Sequence, residues 1–331
     1  MITAEWRAWI AENLVLGLER DAVSDILCER GFTRTMAEAE VAAAAESPYF
    51  AVAQRCLRRL AKRDWILTNH AKLEAMSGAD AEVPRIDSTS AEDFFRKFYF
   101  SNRPVILTGW IADWPAMRHW SLGYFSDRCG DPEIEVQAGR DLEPNYEIRS
   151  ASHKRRVRLS ALLETLRGDP QTNDFYVTAN NGGTNRAALA PLWEDIGVLP
   201  GILQPGTEQD GFFWLGPKGT ITPWHHDLTN NLLVQIRGRK RVTLASVTQT
   251  PLMQNFHHCY SSFGGMAGLD HLPPAERPKT LSCDLGPGDI LFIPIGWWHH
   301  VEGLELSVSL SFVNFVKDND FASSYRSYGD L

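Results

Sequence analysis

The sequence predicts an α+β protein in which a bundle of helices precedes a β sandwich or barrel. The first observation is a repeat of apolar residues at steps of four, at Trp6, Ile10, Leu14 and Leu18, which is typical of one face of an amphipathic helix. The second is a change in the residue pattern after Val83, where short runs rich in β-branched and aromatic residues are separated by Gly, Pro and Asn. Many short strands separated in this way indicate packed sheets, and the double-sheet jelly roll is one such architecture.

Helix-start signals support the prediction of a helical N-terminal part. Thr35 and Glu38 have the spacing of a capping box before an Ala-rich run. Ser47 followed by Pro48 is typical of an N-cap and a first helical position. We therefore predict three to five helices within residues 1–78.

The β part follows a segment with the composition of a linker, residues 77–84. We expect a helical domain over residues 1–78 and a β domain over residues 83–331. The runs predicted as strands are PVILTGW, FYVTANN, GFFWLG, NNLLVQIRG, KRVTLASV, DILFIP and LSVSLSFVNF.

Composition limits the classes of function. The chain of 331 residues is 44% hydrophobic and 22% charged, which is ordinary for a soluble globular protein. Its net charge of −8 argues against a general nucleic-acid binder. One local cluster of cations is present, and we interpret it as a solvated loop: Arg149, Lys154, Arg155, Arg156 and Arg158.

Signals for export and membrane insertion are missing from the sequence. The five cysteines form no C-x-x-C pair, so neither a zinc ribbon nor a disulfide framework is indicated. The N-terminus lacks the cationic start and apolar run of a signal peptide. No stretch approaches the roughly 18 apolar residues of a membrane span. We expect a cytoplasmic protein with no membrane partner.

The motif that carries chemistry begins at His225. In a strand, His225 and Asp227 project from one face and His226 from the other, because side chains alternate with period two. Much later, after a P-G-D turn and an apolar run, His299 and His300 end the segment IGWWHH. If a neighbouring strand brings His299 to the same face, the three form a 2-His-1-carboxylate facial triad, the ligand set of non-haem Fe(II) oxygenases.

Other interpretations of these histidines are weaker but open. An H-x-D pair alone is common, and His299 with His300 could be structural residues beneath two tryptophans. His257 and His258, followed by Cys259, also have metal-binding side chains. No second pair of ligands lies near them, so we interpret that segment as a loop.

The collinear order of several segments resembles the JmjC-type cupin hydroxylases, the group that contains the asparaginyl hydroxylase of hypoxia-inducible factor. The resemblance covers about residues 83–315. It implies a double-stranded β-helix, the jelly-roll or cupin barrel, after the N-terminal helical bundle, and Fe(II) held by His225, Asp227 and His299. The matching segments are NRPVILTGWIADWPA, FYVTANN, FWLGPKGTITPWHHDLTNNLLVQIRGRKRVTL and LGPGDILFIPIGWWHHVEGLELSVSLSF.

The same resemblance implies 2-oxoglutarate as the co-substrate. Lys240 matches the lysine that anchors its distal carboxylate, while Thr222, Tyr176 and Asn231 match positions near the co-substrate. Some relatives carry Asn on the last barrel strand where this chain has Ser311, which puts one contact in doubt.

Lys240 also has a physical argument of its own. A cation that faces a barrel interior is costly without an anionic partner, and a co-substrate carboxylate is such a partner. The alternative is that Lys240 is a turn residue, solvated like Arg237, Arg239 and Arg241 beside it.

The resemblance favours an Fe(II)- and 2-oxoglutarate-dependent dioxygenase that hydroxylates a side chain of a protein or peptide substrate. A tRNA-base hydroxylase and a lysine demethylase are alternatives within the family. A catalytically silent metal-binding cupin that acts as a binding module is an alternative of another class. A nucleic-acid partner is less favoured than a protein one, and the helices are candidates for substrate recruitment or homodimer formation.

Overall fold

The computed structural model describes residues 2–78, 82–87, 89–207 and 210–331. Two compact units are present, Met1–His70 and Ala71–Leu331. Residues 79–81 of the predicted linker lie outside the described residues. The first helices of the chain are α1 (Ala4–Val15), α2 (Arg20–Glu29), α3 (Arg34–Glu46) and α4 (Pro48–Ser77).

The first unit has its own apolar core, formed by α1, α2 and α3. Ile10 and Leu14 of the predicted stripe are buried in it, together with residues of the next two helices. Trp6 is half-buried and packs edge-on against Trp9, with ring centroids 5.4 Å apart. The prediction for Leu18 is wrong: α1 ends at Val15, and Leu18 is exposed beyond it.

The helix starts only partly agree with the prediction. Helix α3 is capped by Thr33, not Thr35: the Thr33 hydroxyl accepts from the Met36 amide (3.4 Å), and Thr35 already lies in the first turn. The start of α4 is confirmed at Pro48, where the Ser47 hydroxyl accepts from the Tyr49 amide (3.2 Å).

The second unit contains all the strands of the described residues and several short helices. Its helices are α5 (Ala91–Phe94, continued by a π-helical turn over Phe95–Tyr99), α6 (Pro115–His119), α7 (Leu122–Cys129), α8 (Ser150–His153), α9 (Leu159–Arg167), α10 (Gly182–Ala188) and α11 (Ala267–Asp270). Among the helices in the described part of the chain, none is both long and apolar enough to cross a membrane.

The strands of the second unit account for the predicted β-rich runs. They are β1 (Arg85–Asp87), β2 (Val105–Thr108), β3 (Glu133–Ala138), β4 (Lys154–Arg158), β5 (Phe175–Tyr176), β6 (Phe212–Gly216), β7 (Ile221–His226), β8 (Asn231–Arg237), β9 (Lys240–Ala245), β10 (Asn255–His257), β11 (Tyr260–Ser261), β12 (Leu281–Leu285), β13 (Ile290–Ile293), β14 (Trp298–Gly303) and β15 (Ser307–Phe312).

Two six-stranded sheets carry the fold, in the orders β1-β2-β13-β8-β15-β6 and β10-β11-β7-β14-β9-β12. Strands β6 to β9 alternate between the two sheets along the chain, and so do β12 to β15. Apart from the parallel pair β1–β2, the pairs in these sheets are antiparallel. This alternation is the arrangement expected of a jelly roll.

The two large sheets pack face to face. Ile106, Leu233 and Leu291 from the first sheet are buried in one cluster with Leu244 and Val301 from the second. Burial of such side chains is the main favourable term for holding two sheets together. Residues of β7, β9 and β14 line a common cavity, with His225 and His299 toward one end of these strands and Lys240 toward the other.

Two local predictions in this unit are wrong. Within FYVTANN, only Phe175–Tyr176 is a strand, and a 3-10 turn follows at Ala179–Asn181. The cationic segment is not a loop, because Lys154–Arg158 forms β4 against β3. Pairing with Glu133 and Glu135 on β3 explains the strand: these carboxylates face Arg156 and Lys154 (3.3 and 3.1 Å).

Candidate metal centre

Neighbouring strands bring the three predicted triad residues together. His225 lies near the end of β7 and is in register with His299 at the start of β14, with ring centroids 4.0 Å apart. Asp227 follows β7, and its carboxylate oxygens lie 3.8 Å from His225 Nε2 and 3.9 Å from His299 Nε2. All three ligand atoms fit within 4.8 Å of one another.

Backbone carbonyls orient both imidazoles. His225 Nδ1 lies 2.8 Å from the Pro223 carbonyl, and His299 Nδ1 lies 3.0 Å from the Trp297 carbonyl. Because a carbonyl oxygen only accepts, Nδ1 carries the proton in each ring and the Nε2 lone pair is left for a metal. Burial, and then the neighbouring His299, lower the pKa of His225 to about 4, so this ring is neutral at physiological pH.

Asp227 is held as an ionised carboxylate. Burial by itself raises its pKa, but His299, His225 and a hydrogen bond outweigh burial and lower the pKa overall. That hydrogen bond comes from Asn231 Nδ2, which donates to Asp227 Oδ2 at 3.0 Å. The structure therefore places the Asn231 amide on the carboxylate of the triad. Its buried Oδ1 has no partner among the described residues.

The two adjacent histidines lie on the opposite face of the sheet, as the alternation predicted. His226 packs edge-on against Trp298, with centroids 4.8 Å apart. His300 is buried beside Trp224, 5.8 Å between centroids. Burial, and then His225, lower the pKa of His300 to about 4.

A bulge turns Thr222 toward the same cavity. Strict alternation from His225 would place Thr222 on the opposite face. His299 pairs with His225, however, and Val301 pairs with Thr222. Two residues of β7, one of them Pro223, therefore oppose a single residue of β14. A proline has no N–H for the ladder and is tolerated at such a bulge, which re-aims the neighbouring side chain.

Lys240 is buried at the start of β9, with 1% of its surface exposed. Its ammonium donates to the Tyr176 hydroxyl at 2.8 Å. Burial lowers the pKa of Lys240 to about 7, and it forms no ion pair with any carboxylate in the described ranges. Arg239 and Arg241 point away and pair with Asp284 (3.1 and 2.8 Å). Lys240 is therefore not a solvated turn residue like its neighbours.

The triad residues, Lys240 and Thr222 all line one cavity of about 270 Å³. All the residues named from the sequence for metal or co-substrate line it, namely Tyr176, Thr222, His225, Asp227, Asn231, Lys240 and His299. Ser311 lines it as well, and its hydroxyl accepts from Trp214 Nε1 at 2.9 Å. The arrangement can hold a divalent metal at one point and an anion at another.

Comparison with known proteins gives the family. The cupin-like domain matches residues 91–319. The chain belongs to the cupin-like domain family.

Curated relatives that are named as JmjC proteins confirm the resemblance inferred from the sequence. It is 30% identical to lysine-specific demethylase JMJ30 of Arabidopsis thaliana, over 70% of this chain and 54% of the relative. It is 29% identical to Jumonji C domain-containing protein 5 of Drosophila melanogaster, over 71% of this chain and 60% of the relative. It is 25% identical to human tRNA wybutosine-synthesizing protein 5, over 71% of this chain and 78% of the relative. The chain spans about half the length of the first of these relatives.

Glu147, Cys259 and Tyr260 also line the cavity; of these, only Cys259 was named from the sequence, in a segment interpreted as a loop that in fact forms a hairpin of β10 and β11. Glu147 lines the cavity and forms a buried ion pair with Arg140, 3.0 Å between Oε1 and Nη2. Cys259 and Tyr260 line it from the β10–β11 hairpin. These side chains come from loops and an edge hairpin, where no periodic pattern or motif marks a residue as facing the metal centre.

Proposed function

We propose that this cupin-like protein is an Fe(II)- and 2-oxoglutarate-dependent oxygenase that hydroxylates a side chain of a protein or peptide. One observation carries the proposal: a single cavity contains both a 2-His-1-carboxylate cluster and a buried lysine without an anionic partner among the described residues. The first suits a non-haem iron site, and the second suits a dicarboxylate co-substrate.

The donor set fits Fe(II). His225 and His299 would supply Nε2 atoms and Asp227 an oxygen, which leaves further coordination positions open for small ligands. When bound, Fe(II) and 2-oxoglutarate supply the activation of O₂ that C–H hydroxylation needs. The chain supplies orientation: the Pro223 and Trp297 carbonyls fix the imidazoles, and fixed ligands strengthen metal binding.

The anion position fits the distal carboxylate of 2-oxoglutarate. Lys240 would pair with it in its protonated form, and the Tyr176 hydroxyl, which now accepts from Lys240, could donate to the same carboxylate. Thr222 offers a second hydroxyl on this wall. Leu233 and Val301 line the cavity between the polar groups, which limits access of water and strengthens charged hydrogen bonds.

Product analysis tests this function against its alternatives. Protein loaded with Fe(II) is incubated with 2-oxoglutarate, O₂ and either a peptide library, methyl-lysine peptides or tRNA. We expect succinate formation that a peptide stimulates, and a peptide that gains the mass of one oxygen atom. Loss of a methyl group with release of formaldehyde would identify a demethylase, and modified tRNA a base hydroxylase. Absence of succinate under all conditions would identify a silent cupin.

Ser311 is expected to contribute little to co-substrate binding. Its hydroxyl accepts from Trp214, so it can offer the co-substrate a single uncharged O–H donor, and we expect that donor to contribute about 0.5–1.5 kcal/mol. Ser311→Ala should therefore raise the Kd for 2-oxoglutarate by no more than roughly tenfold, as measured by calorimetric titration. Ser309→Ala is the control, because this buried serine of the same strand bonds Gln235 (2.7 Å) and does not line the cavity. A larger loss in Ser311→Ala than in Lys240→Ala would contradict the assignment.

Two further expectations from the sequence stay predictions: the homodimer and the cytoplasmic location.

A further inference from the structure

Helix α4 has a basic face that the proposed oxygenase activity does not explain. Five cations occur at i, i+3, i+4, i+7 and i+8, the positions that share one side of a helix over two turns. All five side chains are exposed: Arg55, Arg58, Arg59, Lys62 and Arg63. They lie together around one shallow surface concavity.

The charges of this basic face are not neutralised by the protein. Among the residues that the structure describes, no carboxylate forms an ion pair with any of the five. The cations of β4 differ, since Lys154 and Arg156 pair with glutamates of β3. Like charges at i and i+4 destabilise a helix, so the basic face is unfavourable unless an external anion binds it.

An exposed indole lies beside the basic face. Trp65 is 58% exposed, and Lys62 Nζ lies 4.1 Å from its ring centroid. A large aromatic surface left in water next to cations is a combination that binds nucleic acids: cations contact phosphates, and the ring stacks on a base. The acidic side chains of a peptide would use the cations but offer no π-face to the indole.

We infer that the basic face of α4 binds the sugar-phosphate backbone of a nucleic acid, with Trp65 as a stacking platform. The five cations extend over about 12 Å of helix, at 1.5 Å per residue. A backbone that carries regularly spaced phosphates can meet several of them at once. The net charge of −8 gives no indication of this site, because it sums the whole chain, whereas the five cations lie together on one face of α4. The inference does not depend on the metal centre.

Salt-dependent binding of the full chain tests this inference. Labelled total tRNA and a DNA duplex of similar length are titrated by fluorescence anisotropy at several salt concentrations. Five phosphate contacts predict a slope of log K against log salt of about −4.5 on duplex and about −3.5 on single-stranded regions. Preference for tRNA, whose loops present unpaired bases to Trp65, supports the inference, and equal binding of both probes would overturn the role of Trp65 as a stacking platform.

Two matched triple variants separate the basic face from overall charge. Arg58→Gln, Arg59→Gln, Lys62→Gln removes three of its cations, whereas Arg20→Gln, Arg30→Gln, Lys72→Gln removes three exposed cations elsewhere. The first should weaken binding by about two orders of magnitude at about 0.15 M salt and reduce the slope by about 2.7 on duplex and about 2.1 on single-stranded regions. The control should change little. Circular dichroism shows that both variants keep their helix content.

A single variant tests the stacking platform. Trp65→Leu keeps an apolar side chain but removes the ring, and should weaken binding roughly five- to a hundredfold without changing the salt slope. Equal affinity and slope in wild type and the basic-face triple variant would overturn the inference. So would polyglutamate or phosphatidylserine vesicles that compete with tRNA as well as unlabelled tRNA does, because the face would then bind any polyanion or a membrane surface.

Discussion

Asp227→Ala and His225→Ala are each expected to abolish Fe(II) binding. Either variant leaves two of the three ligand atoms that now lie within 4.8 Å of one another. Loss of a residue that merely orients a ligand already weakens metal affinity by about 10–100-fold, so loss of a ligand should exceed about a hundredfold. Anaerobic calorimetric titration with Fe(II) measures the affinity, and turnover of 2-oxoglutarate to succinate should disappear with it.

His226→Ala is the matched control for the ligand variants. It removes an imidazole one residue from His225, and this ring packs on Trp298 on the opposite face. Its iron affinity should stay within a few-fold of wild type. If Asp227→Ala bound Fe(II) as tightly as His226→Ala, the ligand assignment would be wrong.

Lys240→Ala is expected to raise the Kd for 2-oxoglutarate ten- to a hundredfold while iron binding stays nearly unchanged. A hydrogen bond to a charged group contributes roughly 1.5–3 kcal/mol, and Lys240 is the one Lys or Arg among the described residues that line this cavity. Arg241→Ala is the control, because that arginine is exposed and paired with Asp284. An unaltered Kd in Lys240→Ala would mean that another group binds the distal carboxylate of 2-oxoglutarate.

The pH dependence of co-substrate binding follows from the pKa of Lys240. Burial lowers this pKa to about 7, so the cationic form is lost as the pH rises through 7. A carboxylate binds the cationic form of Lys240. The affinity for 2-oxoglutarate should therefore fall above about pH 7, and Lys240→Ala should lack this pH dependence.

The stability of the protein without co-substrate should depend on pH in the opposite direction, because the native state loses the proton of Lys240 at a lower pH than the unfolded chain does. The unfolded chain binds the extra proton, so the free energy of unfolding should rise as the pH increases above about 7.

Much of the metal centre could be predicted because it depends on local geometry. The H-x-D spacing places His225 and Asp227 on one face of any regular strand, and the structure shows His226 on the other face. The burial of Lys240 between two outward arginines follows from the same alternation. The start of α4 at Pro48 was likewise predictable, because a cap acts within one helical turn.

Residue periodicity did not determine how groups from distant segments meet in the cavity, and the tertiary structure did. Thr222 faces it because of a bulge at Pro223; the family resemblance named Thr222, but strand alternation from His225 would have turned it away. Asn231 donates to Asp227, and Glu147 and Tyr260 reach the cavity from a loop and an edge hairpin. Periodicity gives the direction of a side chain within one strand. It carries no information on register between strands or on the path of a loop, which depend on packing between residues far apart in the chain.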